Sequence, residues 1–356
     1  MRAGGKGRAF VKLTAAACLG LMCASAATAQ QNAPAPAAAF DQGLSVIRVT
    51  SQFVVLDAEV VNKKTGDLVG DLRAKDFALA EDRRPQKIAY FSRDALPLSV
   101  VFLFDLTDTV RPVLEPLADE AQQILSHLKP QDEVAVMVFS SHTEILQDFT
   151  TDRRAAASAI EKASKMKSKD GTFIDEDMYE AAREAMRATP PQSRRVLVWL
   201  TDGTANFENS YTRLAIGREA PEHLHSKEEA TRELFRSGAV VEALIERSEE
   251  TDEVTANWGA GHFSFVTAAR IGDIDRYAEA TGGLALEGSA RHVAAQLAAL
   301  IERLRERYTL GYAPSTSKPE GSFCKLKVSL AATAYEEHPE LRKTDLVVRT
   351  KRGYYR

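Results

Sequence analysis

Two kinds of hydrophobic pattern alternate through the middle of this chain. The first is an unbroken apolar run closed by polar residues. Leu98–Thr109 reads LSVVFLFDLTDT, Glu133–Phe139 reads EVAVMVF, and Arg195–Gly203 reads RVLVWLTDG. Runs of this length suit strands buried on both faces, as in a parallel sheet. Ala239–Ile245 and Leu284–Leu286 continue the series. The second pattern is helical. Val113–Leu128 places apolar residues at 114, 117, 121, 124, 125 and 128, which predicts one helix. Further helices are expected from an Asp152 cap to about Lys165, over Phe173–Ala188, over Lys227–Arg236, over Asp273–Thr281 before Gly282-Gly283, and over Ala290–Arg307. The charged face of the last, Glu302, Arg303, Arg305, Glu306 and Arg307, reads as solvated. The acids Asp175, Glu176 and Asp177 read as caps and solvated groups that suit a helix N-terminus, in preference to metal ligation.

The flanks are different. Val46–Val49 and Phe53–Val61 are β-branched and alternating, Asn62–Asp67 is a turn with a glycine at Gly66, and two short strands are expected between Asp71 and Phe91. Tyr308–Tyr312, Phe323–Leu330 and Leu346–Thr350 return to β pattern near the other end. Each flank holds too few strands for comfortable stability alone. The expectation is therefore one small β domain made from both, with the central part inserted in it.

Composition narrows the class. The chain has 356 residues, 44% apolar and 27% charged, which is ordinary for a protein with a packed core. The formal net charge of −4 argues against nucleic acid as the main partner. The N-terminus carries Arg2, Lys6, Arg8 and Lys12, then the apolar stretch Leu13–Met22, then Ala27-Thr28-Ala29. That order reads as a secretory signal with cleavage before Gln30. Its apolar run is short for a membrane span, and no other segment is long and apolar enough, so the mature chain is expected to lack one. Cys18 and Cys23 lie in the signal without a good lipoprotein context, and Cys324 alone remains in the mature chain, excluding an intramolecular disulfide. Cys324 reads as an inert, half-buried strand residue. Residues 30–43 are Ala/Pro/Gln-rich and read as a linker.

The candidate chemistry sits where the apolar runs stop. Asp105, Thr107 and Thr109 follow the first, Asp202 follows the Arg195 run, and Asp170-Gly171-Thr172 lies between them. Ligands of open α/β sheets sit beyond the carboxyl ends of the strands. Two acids and three hydroxyls gathered there form an oxygen-only donor set, which suits a hard divalent cation with one coordination position left for a ligand. His223 and His225 lie in the polar stretch Thr204–Ser226, but with no third ligand evident they make a poor zinc site. Ser248–His262 is a second polar insertion, holding Trp258.

Asp105-x-Thr107-x-Thr109, Thr172 and Asp202-Gly203 together resemble the metal-ion-dependent adhesion site of von Willebrand factor type A domains, with both serines of that pattern replaced by threonine. Leu72, Asp76-Phe77, Leu79, Glu81-Asp82, Pro85-Gln86, Ile88 and Phe91 resemble the segment that precedes this domain in a bacterial exported subgroup. Tyr308–Tyr312 and the terminal Arg352-Gly353-Tyr354 resemble its ending. The resemblance implies a doubly wound, mostly parallel α/β domain with Thr143–Phe149 as an antiparallel edge strand. It also implies a metal site of Asp105, Thr107, Thr109, Thr172 and Asp202 holding Mg²⁺, or Mn²⁺ or Ca²⁺. The implied role is binding of a protein that offers a carboxylate to the metal, rather than catalysis.

The expected organisation is a signal over 1–29, a linker over 30–43, a β segment over 44–96, the α/β domain over 97–307, and a C-terminal β segment over 308–356. The expected function is divalent-cation-dependent protein–protein interaction, or adhesion, in the periplasm or outside the cell. Two alternatives stand beside it. One is a metal-independent structural subunit of an envelope assembly. The other is a phosphoryl-transfer hydrolase, disfavoured because Thr107 stands where such an enzyme carries a second Asp, and because the seven histidines are scattered.

Overall fold

The computed structural model describes residues 53–93, 96–168, 172–190, 192–203, 224–246, 274–288, 292–315 and 318–356. The signal, the linker, Val46–Val49, Asp170-Gly171, His223 and the 248–262 insertion lie outside the described residues.

The central part is a six-stranded sheet flanked by helices on both faces. Its strands are β5 (Leu98–Asp105), β6 (Glu133–Phe139), β7 (Thr143–Thr150), β8 (Arg194–Thr201), β9 (Val240–Glu246) and β10 (Ala285–Gly288). The spatial order is β10-β9-β8-β5-β6-β7. All neighbours are parallel except β6 with β7, which is antiparallel at the edge. The chain lays down β5, β6 and β7 outward, then returns to the centre at β8 and builds toward the other edge. This makes the fold a mixed α/β structure with a mostly parallel, doubly wound sheet, and its topological switch point lies between β5 and β8.

Side-chain alternation divides the core. Val100, Phe102 and Phe104 point to one face, with α1 (Arg111–Asp119), α2 (Ala121–Ser126), α3 (Arg153–Lys165) and α7 (Val293–Arg305). Val101, Leu103 and Trp199 point to the other, with α4 (Ile174–Met186), α5 (Lys227–Ser237) and α6, residues 274–281. Asp152 caps α3, its carboxylate accepting from the Arg154 and Ala155 amides. The single helix expected over Val113–Leu128 is two helices. Pro116 sits inside α1 and supplies no amide, and the chain bends at Glu120, which separates α1 from α2.

The flanking strands form two antiparallel four-stranded sheets. One has the order β13-β1-β11-β4, with β1 (Val54–Asn62) between β13 (Leu346–Thr350) and β11 (Tyr308–Tyr312), and β4 (Tyr90–Arg93) outside. The other has the order β14-β12-β2-β3, with β12 (Phe323–Leu330) paired to β2 (Phe77–Glu81), and β14 (Gly353–Tyr355) and β3 (Arg84–Gln86) outside. Leu56, Val60, Phe77, Leu79, Tyr308, Leu310 and Leu326 share one core. The stretch Gln86–Phe91 does not form one strand: β3 joins one sheet and β4 the other. Cys324 is fully buried in this core rather than half-buried.

Salt bridges join the sandwich to the sheet. The basic face of α7 is not solvated. Arg305 and Arg307 are buried. Arg303 Nε lies 2.6 Å from Glu59 Oε1 on β1, and Arg305 pairs with Asp132 before β6. Arg307 Nη1 lies 3.4 Å from Glu242 on β9 and 3.9 Å from Glu59. The expectation of a solvated face holds for Glu302 and Glu306 and fails for the arginines, because the periodicity of α7 shows its apolar stripe but not the second layer packed on its far end.

Candidate metal centre

The switch point brings the ends of β5 and β8 side by side. Asp105 is the last residue of β5 and is fully buried. One of its oxygens accepts the Thr107 amide at 2.8 Å, an Asx-type turn that swings the chain back across the strand end. The other accepts the Thr201 hydroxyl at 2.9 Å. Thr201 in turn accepts the Gly203 amide at 3.2 Å, so one threonine ties the end of β8 to that of β5. Gly203 has a φ of 74°, in the left-handed region open to glycine, and this lets the turn after Asp202 close.

Thr109 Oγ1 donates to Asp202 Oδ2 at 2.6 Å, bridging the two strand ends at the surface. Thr107 Oγ1 lies 3.2 Å from Thr109 Oγ1. The Thr107 side chain also hydrogen-bonds the Asp105 carboxylate. Thr172 is fully buried, one residue ahead of the Phe173 N-cap of α4. The structure thus draws Asp105, Thr107, Thr109 and Asp202 into one hydrogen-bonded cluster. It sets Thr172 at the start of the helix whose Asp177 feels the charge of Asp105.

The electrostatics are those of a site short of positive charge. Burial, and then the Asp202 charge, push the Asp105 carboxyl up to about 7. Asp177 is pushed well above the carboxylate range by burial, with Asp105 and Glu176 adding to it. Among the described residues no basic side chain pairs with Asp105 or Asp177. The donors are carboxylates and hydroxyls, a set that fits a hard cation such as Mg²⁺, Mn²⁺ or Ca²⁺ and lacks the nitrogen or sulfur that zinc favours. The floor, Asp105 and Thr172, is buried while Thr109 is exposed, so the cluster opens to solvent at its threonine rim.

Thr201 was not among the residues the sequence pattern marked, and Asp177 was read as a cap in preference to a metal ligand. Thr201 is part of an apolar run, and its only signal is a hydroxyl directly before Asp202. Asp177 stands in a triplet of acids that reads as a cap, yet Phe173 is the N-cap and carries no capping side chain. His225 does not pair with His223 in a metal site that can be described. Its ring Nδ1 lies 2.9 Å from Glu176 Oε2, and the ring stacks on Tyr179 at 3.5 Å.

Residues 100–204 match the family model of the von Willebrand factor type A domain. The chain contains a von Willebrand factor type A domain. The match begins inside β5 and ends just past Asp202-Gly203, so it spans the switch point. A comparison with curated protein sequences finds no match. Among solved structures, the chain is similar to BatB from Bacteroides thetaiotaomicron, at 17% identity over 58% of this chain and 97% of that one, with a TM-score of 0.39. It is also similar to the von Willebrand factor domain of the type V pili tip protein Mfa5 from Porphyromonas gingivalis, at 11% identity over 59% and 95%, TM-score 0.41. A third is the pilus adhesin SpaC from Lactobacillus rhamnosus GG, at 10% identity over 84% and 47%, TM-score 0.43. Among the described residues no helix is long and apolar enough to cross a membrane.

Proposed function

We propose that this chain is a divalent-cation-dependent protein-binding module that acts outside the cytoplasm. Asp105, Thr107, Thr109, Thr172 and Asp202 hold the cation, Mg²⁺ or Mn²⁺ or Ca²⁺, and a carboxylate of a partner protein completes its shell. The observation that supports this most is the bridge from Thr109 to Asp202 across the switch point, with Asp105 buried beside it. A cation bound there supplies a positive charge that a partner's acid can reach.

The chain's own residues do the positioning. Asp105 fixes the turn by accepting the Thr107 amide, and Thr201 holds the carboxylate in orientation. Asp202 fixes the Thr109 hydroxyl. None of these groups makes a nucleophile–base pair: each carboxylate is bonded to a hydroxyl or an amide, and no described histidine is hydrogen-bonded to Asp105. This favours binding over catalysis. Location outside the cytoplasm rests on the N-terminal signal pattern alone.

The test is calorimetric titration of Mg²⁺ and Mn²⁺ into residues 30–356 and into the Asp105→Ala protein. Saturable one-site binding by the first and none by the second is the expected result. No binding by the unsubstituted protein moves the reading to a metal-independent structural subunit. Phosphate-ester hydrolysis that is lost in Asp105→Asn but survives chelation moves it to the hydrolase.

A further inference from the structure

The first turn of α4 carries Asp175, Glu176 and Asp177, and the structure treats them differently. Tyr277 OH donates to Asp175 Oδ1 at 2.5 Å, tying α4 to α6. The His225 amide donates to Glu176 Oε2 at 2.7 Å. Asp177 is fully buried, and neither of its oxygens has a hydrogen-bond partner. The Phe173 amide faces the carboxylate without closing a bond to it. The charges that act on it, Asp105, Glu176 and Asp175, are all negative.

A buried carboxylate with no partner, among like charges, is among the costliest arrangements a fold can carry. This protein compensates its other buried acids. Asp132 has Arg305, Glu242 has Arg307, and Glu133 accepts from the Ser99 hydroxyl and the Thr189 amide. Among the described residues, Asp177 is the only buried acid with both oxygens unpartnered. Capping does not account for it. α4 begins at Ile174, and the Asp177 amide already bonds the Phe173 carbonyl, so Asp177 lies beyond the positions where a side chain caps. The helix dipole favours an anion there, but amounts to only about half a charge.

We propose that Asp177 is a third acid of the cation site, lying outside the Asp105–Thr107–Thr109–Thr172–Asp202 pattern and supplying negative charge that the bound cation neutralises. The inference rests on the cation-binding reading above and deepens it. With Asp105, Asp202 and Asp177 the site carries three carboxylates, enough to hold a divalent cation before any partner arrives. The five-residue pattern, with two acids, leaves more of that attraction to the partner's carboxylate. Asp177 acts by its charge, since neither of its oxygens is hydrogen-bonded to a residue of the cluster.

Asp177→Asn keeps the shape and removes the charge. Two measurements test it, each on wild type, Asp177→Asn and Asp105→Ala. The first is calorimetric titration with Mg²⁺. Wild type is expected to bind, and Asp177→Asn to bind about 10- to 100-fold more weakly. The second is thermal unfolding in EDTA and in saturating Mg²⁺. Asp177→Asn is expected to gain less from Mg²⁺ than wild type does, because it has no charge for the cation to neutralise. A purely structural Asp177 gives a different result: a lower melting temperature by the same amount in both buffers, with Mg²⁺ affinity unchanged. That result overturns the proposal. Wild-type affinity in Asp177→Asn, with binding lost in Asp105→Ala, overturns this inference alone and leaves the cation reading standing. A wild-type protein that binds no cation overturns both.

Discussion

Arg307 and Glu242 show what a buried charge does in this molecule. Burial pushes the Glu242 carboxyl up to about 7, against the pull of the Arg307 guanidinium, while the Leu284 amide donates to it at 2.9 Å. A raised folded-state value means that the native protein binds this proton more tightly than the unfolded chain does. The stability Glu242 contributes is therefore fully present below the unfolded value of about 4.5 and is lost as pH rises through about 7. Glu242→Gln is expected to flatten the fall in unfolding free energy between those pH values, by up to about 3 kcal/mol at 1.36 kcal/mol per unit. Urea melts at a series of pH values check this, and a pH profile identical to wild type would contradict it. Arg307→Ala leaves Glu59 and Glu242 buried without their shared cation. A loss of about 3–5 kcal/mol is expected, read from the same melts. The cluster around Asp105 teaches the same lesson. Its threonines and Asp202 could be named from spacing, whereas Thr201 and Asp177 could not, because their roles depend on what lies opposite a strand end or under a helix turn.

At the scale of elements, local signals served well where they act locally. Asp152 is a cap because its side chain meets amides two and three residues on. Asp152→Ala is expected to cost about 1 kcal/mol, measured by denaturant unfolding, without changing cation binding. Tyr308–Tyr312, Phe323–Leu330 and Leu346–Thr350 are strands with the bounds their alternation suggests. Signals failed where a break had a competing pattern. The apolar spacing of 113–128 runs through Pro116 and hides the bend at Glu120. Gly282-Gly283 marks the end of α6, and the reason for it is tertiary. A Cβ at Gly283 would lie 2.0 Å from the Val241 carbonyl oxygen, and one at Gly282 2.4 Å from the Thr350 backbone. Gly282 also has a φ of 82°. Gly282→Ala is expected to destabilise the protein by more than the about 1 kcal/mol of an ordinary Gly→Ala backbone change, because it parts α6 from β13 as well as straining φ.

At the scale of the whole molecule, the β sandwich and the type A domain share their charges. Arg194 at the start of β8 is buried. It lies 3.1 Å from Asp57 on β1 and donates to the Thr309 hydroxyl on β11 at 2.9 Å. Glu59 meets Arg303 of α7, Arg307 just past its end and Arg349 of β13. These links lie where the strands of the parallel sheet begin, at the end opposite Asp105 and Asp202, so the sandwich leaves the threonine rim uncovered. Because neither part satisfies its buried charges alone, differential scanning calorimetry is expected to show one cooperative transition for residues 30–356. Two separated transitions would mean that the charges are not shared in the way the distances indicate.

What the sequence by itself determined was whatever lies within a strand, a turn or one helix: buried parallel strands from unbroken apolar runs, helix faces from spacing, and the place of the candidate oxygen donors Asp105, Thr107, Thr109 and Asp202 after those runs and of Thr172 in the loop between them. Local propensity and short-range hydrogen bonds control these features, and both are written in neighbouring residues. Only the tertiary structure decided that β3 and β4 part into different sheets and that the arginines of α7 are buried ion pairs. It also decided that Asp177 alone of three adjacent acids is left without a partner. Those outcomes depend on which surface meets which, and burial turns the same charged side chain from a solvated group into a demand for a counter-charge.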